Sequence, residues 1–565
     1  MPGSSSCILG LHVGVDAGAA LLAEDRIVAA ANEERFSRTK FQWGFPGRSV
    51  EAVLRTAGID GREVSRVVLA GTAHSPPSDI NTYAITPGGP MEAALRVLGR
   101  LGLQRGLLGS RPGLAVYRAA FGAARRVEIG SLRRRLADLG VRAPLVRVDH
   151  HAAHAASAAY TCGWDRALVL TADQMGDGSS ATIWRKEGST LDPVLRVPVF
   201  HSLGILYFYV TLLLGFQPGR EGKVMGLAAR GNAAATGAIF RQFVDFDART
   251  GGFVNHARGL VADYDALAAQ LRPFSREDVC AGVQAHFEAC VSALVRHHVE
   301  RTGLDRLAVA GGVFSNVRMN GVLRTVPGIA GTWVFPHMGD GGLAAGAALH
   351  AAHPQAADAL PSLFLGPASP PEEITLGSGV REGPEAEAEA VRLLAEGRIV
   401  GRFEGRMEYG PRALGNRSVL CAADDPAAND RLNRMLRRSE FMPFAPTVLE
   451  EDAPAILEGW RPDHASSRHM TTTYRVTLAG RALAPAVVHV DGTARPQVLR
   501  AEDNPGYHRL LCAFKARTGS GVLLNTSMNV HEEPIVFQAS DALRLLGETG
   551  LDGLLLEGRW VTGAA

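Results

Sequence analysis

The stretch that most constrains this chain is VDHHAAHAASAAY, Val148–Tyr160. His150 and His154 are four apart, so on a helix both imidazoles lie on one face. Two neutral imidazoles so placed can share a divalent metal. Such a site needs two more ligands, and carboxylates are the expected donors. Asp173 and Asp340 fit, because each follows an apolar, strand-like run inside a Gly-rich turn, LVLTADQMGDG and WVFPHMGDGG. Two histidines at a helix start are ordinary when they stand alone; the two Asp-Gly turns make the pattern a four-ligand expectation.

At 565 residues the chain has room for two or more domains with real cores. A formal charge of +2 with 21% charged residues gives no electrostatic case for nucleic acid or a membrane surface. No apolar run is long enough for a spanning helix, and MPGSSSCILG lacks the basic-then-apolar layout of a signal peptide. The cysteines (Cys7, Cys162, Cys280, Cys290, Cys421, Cys512) are scattered without a C-x-x-C. That pattern fits a reducing cytoplasm and argues against a disulfide frame or a thiolate zinc site.

The N-terminal CILGLHVGVDAGAALLAEDRIVAAANEE reads as three strands, with Gly14, Asp16 and Gly18 in the first turn. An Asp beside glycines at a strand end can offer backbone N–H groups to phosphate and a carboxylate to its metal. The same layout returns in RALVLTADQMGDGSSATIWRKEGSTLDPVLRV. A meander that appears twice, with an Asp-Gly turn in each copy, is a duplicated nucleotide clamp. Between the copies, Arg38 and Lys40 lie in a polar loop. Lys40, Lys186, Lys223 and Lys515 are the only lysines, so each survivor in an arginine-rich chain is worth a look. Residues 76–145 read as an inserted helical section that shapes an acceptor pocket, with Arg133, Arg134 and Arg135 on a wet helix face. GREGKVMGLAARGN places Lys223 between glycines, which suits an anion without being a P-loop. LAVAGGVFSNVRMNG is a buried strand, a double-Gly turn at Gly311 and Gly312, and then Asn316 and Asn320 at a helix start. Such a helix start suits a nucleotide.

These blocks resemble the N-terminal domain of the nodulation and antibiotic O-carbamoyltransferases, which is similar to the Kae1/TsaD proteins. The resemblance implies an α/β chain whose first domain has the duplicated actin/Hsp70-like fold, over residues 1–365. It implies a divalent metal, Fe2+ with Mn2+ and Mg2+ as alternatives, on His150, His154, Asp173 and Asp340. It also implies ATP near Gly14, Lys223, Gly311, Gly312, Asn316 and Asn320, with Asp16 and Lys40 in the reaction. The Pro- and Gly-rich segment 366–385 reads as a linker. Beyond it, GRMEYGPRALGNRS, HVDGTARPQVL and GVLLNTSMNVHEEPIV resemble the YrdC-like α+β second domain of the same family, over residues 386–565. That resemblance carries over Arg412, Arg417, Arg438, Arg495, Asn525 and Ser527 as groups that handle the carbamoyl phosphate and the nucleotide.

The implied reaction makes carbamoyl-adenylate from carbamoyl phosphate and ATP and transfers the carbamoyl group to a hydroxyl of a small acceptor, in specialised metabolism. Three departures stand out: Leu436 and Met442 replace a Lys and an Arg of the family, and Val15 replaces a His that is a candidate acceptor base. Leu436 and Met442 predict weak use of carbamoyl phosphate. Two other readings stay open: another ATP-dependent reaction on this scaffold, and a non-catalytic partner of an active homologue. A homodimer is expected from frequency alone.

Overall fold

The computed structural model describes residues 7–72, 103–110, 112, 129–257, 259, 264–355, 359–369, 381–437 and 444–562. The chain divides into two compact units: Met1–Ala30 with Phe41–Pro361, and Ala31–Lys40 with Ser362–Ala565.

The first unit contains two five-stranded sheets. One is built from β1 (Cys7–His12), β2 (Gly18–Ala23), β3 (Arg26–Asn32), β4 (Val64–Ala70) and β5 (Leu145–Val148), in the order β3-β2-β1-β4-β5. The helix α1 (Gly47–Ala57) precedes β4, and α2 (His150–Ala159) follows β5. The other sheet uses β6 (Arg166–Gly176), β7 (Ser179–Glu187) and β8 (Thr190–Pro198). After α3 (Leu203–Leu213), α4 (Glu221–Ala228), a ribbon of β9 (Val244–Asp247) with β10 (Gly252–Asn255), and the long α5 (Arg276–Thr302), it is completed by β11 (Arg306–Ala310) and β12 (Gly331–Val334). Its order is β12-β11-β6-β7-β8. Short helices follow the last two strands, α6 (Val317–Leu323) after β11 and α7 (Leu343–Ala352) after β12.

The two sheets are the same arrangement. β1 runs antiparallel to β2 and parallel to β4, and β6 runs antiparallel to β7 and parallel to β11. In each, the first strand lies in the middle, with a meander on one side and two parallel strands on the other. This is the duplicated actin/Hsp70-like fold that the sequence resemblance implies. The central strands are buried on both faces, so they read as unbroken apolar runs instead of alternating ones.

Small residues bring the helices close. A Cβ at Gly346 on α7 would collide with the Ala153 carbonyl of α2, and one at Gly10 on β1 with the Ala344 carbonyl. The main core fills the space between the second sheet, α3 and α5, with Leu168, Leu170, Val210, Phe287 and Val291.

The second unit is built on an eight-stranded mixed sheet in the order β13-β22-β21-β14-β15-β20-β16-β19. Its strands are β13 (Arg381–Glu382), β14 (Val400–Phe403), β15 (Arg417–Ala422), β16 (Ala445–Leu449), β19 (Gln497–Leu499), β20 (Val522–Ser527), β21 (Gly553–Leu556) and β22 (Arg559–Val561). β17 (Tyr474–Arg475) and β18 (Thr493–Ala494) form a separate pair. The helices are α8 (Gly383–Ala395), α9 (Ala428–Met435), α10 (Pro505–Thr518) and α11 (Ala539–Thr549). Successive strand residues face opposite sides of the sheet. Val419 and Cys421 therefore join one apolar cluster with α9 and α11, and Leu420 and Ala422 another with α8 and α10.

The break between the units falls at Pro361/Ser362. Much of the expected linker, residues 370–380, and much of the expected helical insertion lie outside the described residues, as do Arg438 and Met442. The described flanks of the linker belong to the second unit. Pro367 O accepts from Met407 N and Ser369 Oγ from Ala539 N, and β13 is an edge strand of the sheet. In helix 129–138, Arg133, Arg134 and Arg135 are exposed and Leu132 and Leu136 are buried, as their spacing requires.

Candidate functional site

The chain turns directly from β5 into α2. Asp149 caps the helix by accepting from Ala152 N, and Asp177 accepts from His150 N at 2.8 Å and from Thr72 N at 2.8 Å. Asp177 therefore fixes the helix start that aims His150 and His154. Their Nε2 atoms converge on two carboxylates. His150 Nε2 is 3.4 Å from Asp173 Oδ2 and 3.6 Å from Asp340 Oδ1; His154 Nε2 is 3.0 Å and 3.5 Å from the same atoms. All four ligand atoms lie within 4.8 Å of one another. An ion bound at about 2.0–2.2 Å to each would hold its ligands at about these separations.

The donor chemistry fits a metal. His154 is fully buried, and among the described residues neither of its ring nitrogens makes a hydrogen bond of good geometry. Burial resists charging His150, but Asp340 and Asp173 outweigh it and push the imidazole up to about 9. Burial likewise resists ionising Asp173, but His154 and His150 hold it well below the usual carboxylate range. The carboxylates thus impose a field that favours positive charge.

Asp173 is held from behind. Gly312 N donates to Asp173 Oδ1 at 2.7 Å, which leaves Oδ2 for the histidines. A Cβ on Gly312 would stand 2.7 Å from that Oδ1, and one on Gly311, at φ +112°, would collide with the Ala172 carbonyl. These two glycines, expected as a nucleotide cradle, pack against Asp173 and Ala172. Asn316 caps α6 through Met319 N and pairs with Gln284 in both directions, and Asn320 donates to Phe314 O. Lys223 lies half-buried in the first turn of α4. Gly14 is buried in the turn after β1, where Asp16 takes the left-handed conformation, φ +60°. His337 Nε2 is 3.9 Å from Asp16 Oδ2, a pairing across sequence that inspection of the chain had not suggested. Lys40 is exposed, at the end of the Ala31–Lys40 segment that belongs to the second unit.

In the second unit the loop GRMEYGPRALGN is organised by Glu408, which the sequence had not singled out. Its Oε1 accepts from three backbone N–H groups, Leu414 at 2.7 Å, Asn416 at 2.9 Å and Arg417 at 3.2 Å. Arg417 corrects an expectation. Its fork is spent on the carbonyls of Glu404, Asn416 and Gly405, and its guanidinium lies 3.6 Å over the Phe403 ring. It is fully buried, and among the described residues only its Nε is without a partner.

Arg412 and Arg495 behave differently. Burial pushes Arg412 down to about 10, and burial together with the Arg412 charge takes Arg495 well below its usual range. Among the described residues no carboxylate pairs with either. Asn525 Nδ2 donates to Gln497 Oε1 at 2.9 Å, Thr447 Oγ1 at 3.1 Å and the carbonyl of Ala413, the residue after Arg412, at 3.3 Å. This fixes the amide orientation and leaves a buried Asn525 Oδ1 with no partner among the described residues. Ser527 Oγ is 2.6 Å from Asn529 Oδ1. Leu436 is fully buried and its carbonyl accepts from His531 N.

Residues 126–349 match the carbamoyltransferase N-terminus and residues 391–562 the carbamoyltransferase C-terminus. A protein of Synechocystis is 33% identical over 603 residues, which span 96% of this chain and 94% of that protein. The chain belongs to the carbamoyltransferase family. Nodulation protein NolNO of Sinorhizobium fredii is 32% identical to this carbamoyltransferase over 96% of this chain and 78% of its own length. Nodulation protein NolO of Bradyrhizobium diazoefficiens is 36% identical over 72% of this chain and 78% of its own. As a carbamoyltransferase the protein transfers a carbamoyl group from a donor to a small-molecule acceptor. Among the described residues no helix is long and apolar enough to cross a membrane.

Proposed function

We propose that this carbamoyltransferase uses ATP and carbamoyl phosphate to make carbamoyl-adenylate and passes the carbamoyl group to a hydroxyl of a small specialised metabolite. The observation that carries the reading is the cluster in the second unit. Two half-buried guanidiniums with no carboxylate partner among the described residues ask for an anion, and the buried Asn525 Oδ1, unpartnered among the same residues, asks for an N–H. Carbamoyl phosphate supplies both, a phosphate and an –NH2, and so does the carbamate left when its phosphate departs.

The balance is simple. Water releases phosphate from carbamoyl phosphate and leaves carbamate; the carbamate oxygen attacks the α-phosphate of ATP and expels pyrophosphate. The acceptor hydroxyl then attacks the carbamoyl carbon and expels AMP, and its proton goes to a base. Arg412 and Arg495 would spread the charge of the departing phosphate. Asn525 Oδ1 would hold the carbamoyl nitrogen and so orient the carbon. With Val15 in place of a histidine, the His337–Asp16 pair offers an imidazole and a carboxylate at that turn.

In the first unit, His150, His154, Asp173 and Asp340 would hold a divalent metal. The mixed nitrogen and oxygen donors suit Fe2+ or Mn2+ better than Mg2+. Bound there, such an ion would supply Lewis-acid stabilisation to phosphate oxygens. ATP, a cytoplasmic setting and a homodimer belong to the same proposal.

The test follows pyrophosphate and AMP from ATP with and without carbamoyl phosphate. Release should depend on carbamoyl phosphate and fall about 10²–10³-fold in Arg495→Leu. Release that ignores carbamoyl phosphate, or that survives in the variant, would replace this reading with another ATP-dependent reaction.

A further inference from the structure

The first unit contains a second group of metal-ligating side chains that the reaction above does not use. Asp245 lies on β9, and His286 and Cys290 are four apart on α5, so the two helix residues share a face. One ligand atom from each of the three lies within 4.8 Å of the others.

The tautomer of His286 is set by the backbone. Its Nε2 is 2.7 Å from the Val244 carbonyl oxygen, an acceptor that can bond only to an N–H. Nδ1 therefore carries the lone pair; Cys290 Sγ lies 3.9 Å from it and 3.5 Å from Nε2, alongside the ring. Cys290 Sγ is in turn 3.4 Å from Asp245 Oδ1. Around a tetrahedral ion with metal–sulfur bonds of about 2.3 Å and metal–nitrogen or metal–oxygen bonds of about 2.0 Å, ligand atoms stand roughly 3.3–3.8 Å apart. The cysteine pairs already stand close to those separations. The outer contacts are of the kind that orient ligands: the Nε2–H on a carbonyl, and Phe246 N donating to Asp245 Oδ1 at 2.8 Å. Phe240 stacks on the imidazole, which locks the ring plane.

A similar trio, Glu451, His508 and Cys512 on and beside α10, is weaker. It is more open to solvent, and Lys515 Nζ stands 3.9 Å from Glu451 Oε1, where it competes with a cation.

We propose that Asp245 Oδ1, His286 Nδ1 and Cys290 Sγ form a second metal site that takes a borderline-soft divalent cation such as Zn2+. A thiolate, a carboxylate and a neutral imidazole balance the charge of that ion. The thiol proton leaves to solvent as the metal–sulfur bond forms, and three protein ligands leave one position for water or another donor. The site clamps the β9–β10 ribbon to α5. The sequence argument against a thiolate site rested on the missing C-x-x-C, but H-x-x-x-C across one helix turn presents a pair just as well.

The test uses the full-length protein carrying Cys512→Ser, stripped of metal by chelation and titrated with Co2+. The His150 centre contains no sulfur, so a near-ultraviolet thiolate-to-cobalt charge-transfer band reports only a cysteine site. The band should saturate at about one Co2+ per chain, vanish when Cys290→Ser is added, and persist when His154→Ala is added. X-ray absorption of the zinc-loaded Cys512→Ser protein should show a sulfur neighbour at about 2.3 Å, which settles the matter even if Cys290→Ser does not fold. A spectrum with oxygen and nitrogen ligation only, or a band that survives Cys290→Ser, would overturn the proposal.

Discussion

A methyl group at Gly312 would stand 2.7 Å from Asp173 Oδ1, the oxygen that already accepts the Gly312 N–H. Gly312→Ala must therefore push Asp173 away from His150 and His154 while it leaves the fold intact. Loss of an outer contact of this kind costs about 10–100-fold in metal affinity. We expect that drop in Fe2+ or Mn2+ titrations of a variant whose circular dichroism is unchanged. An equal affinity would detach Asp173 from the site. The clustering of these four side chains was readable in the sequence because each sits in a local pattern, an i, i+4 pair or an Asp-Gly turn after an apolar run. The duty of Gly312 was not readable. A double glycine before a helix looks the same whether it admits a phosphate or a carboxylate oxygen from a neighbouring strand, and only the β6–β11 pairing decides between them.

The loop Glu404–Ser418 shows the same divide one level up. Its arginines could be named from sequence, but the direction of a guanidinium depends on which carbonyls the strands bring near it. Arg417 spends its fork inward on three carbonyls, and Arg495 pairs with no carboxylate among the described residues. The two should part under the same conservative change. Arg417→Lys loses the planar fork and the stack on Phe403, and should cost about 2–4 kcal/mol in urea unfolding. Arg495→Lys should leave the urea midpoint nearly unchanged and slow pyrophosphate release. Matching effects of the two changes would deny the distinction. The loop itself hangs on Glu408, whose Oε1 takes three N–H groups. Glu408→Gln keeps the shape and removes the charge, and hydrogen bonds to an ion are worth about 1.5–3 kcal/mol each. A stability loss of roughly 1–3 kcal/mol, with slower release of pyrophosphate, is the expected result. A variant that loses stability at full turnover would show that the loop does not position Arg412.

At the scale of the whole molecule, the duplication was legible because the meander and its Asp-Gly turn occur twice. The division of the chain was legible only in part. Ala31–Lys40 reads as a loop leaving the first meander, yet it belongs to the second unit. Arg38 donates through Nη1 to Ile535 O at 2.7 Å and through Nη2 to Pro534 O at 2.8 Å, and Arg35 Nη2 donates to Gly410 O at 2.7 Å. Phe36 packs edge-on against Phe537 at 4.8 Å. Partners some five hundred residues away leave no local trace, so periodicity could not find them. The consequence is that cutting the chain at the apparent boundary gives an incomplete second unit. A fragment from Ser362 onward lacks two buried or half-buried arginine anchors and an aromatic contact, and it leaves the carbonyls of Gly410, Pro534 and Ile535 without those donors. Each such loss costs about 1–3 kcal/mol, a large share of a domain's net stability. We expect the fragment to melt well below the corresponding transition of the intact protein. A synthetic peptide spanning Ala31–Lys40 should raise its Tm in a concentration-dependent way, and the same peptide with Arg35→Ala and Arg38→Ala should not. A fragment as stable as the intact protein, indifferent to the peptide, would return Ala31–Lys40 to the status of a surface loop.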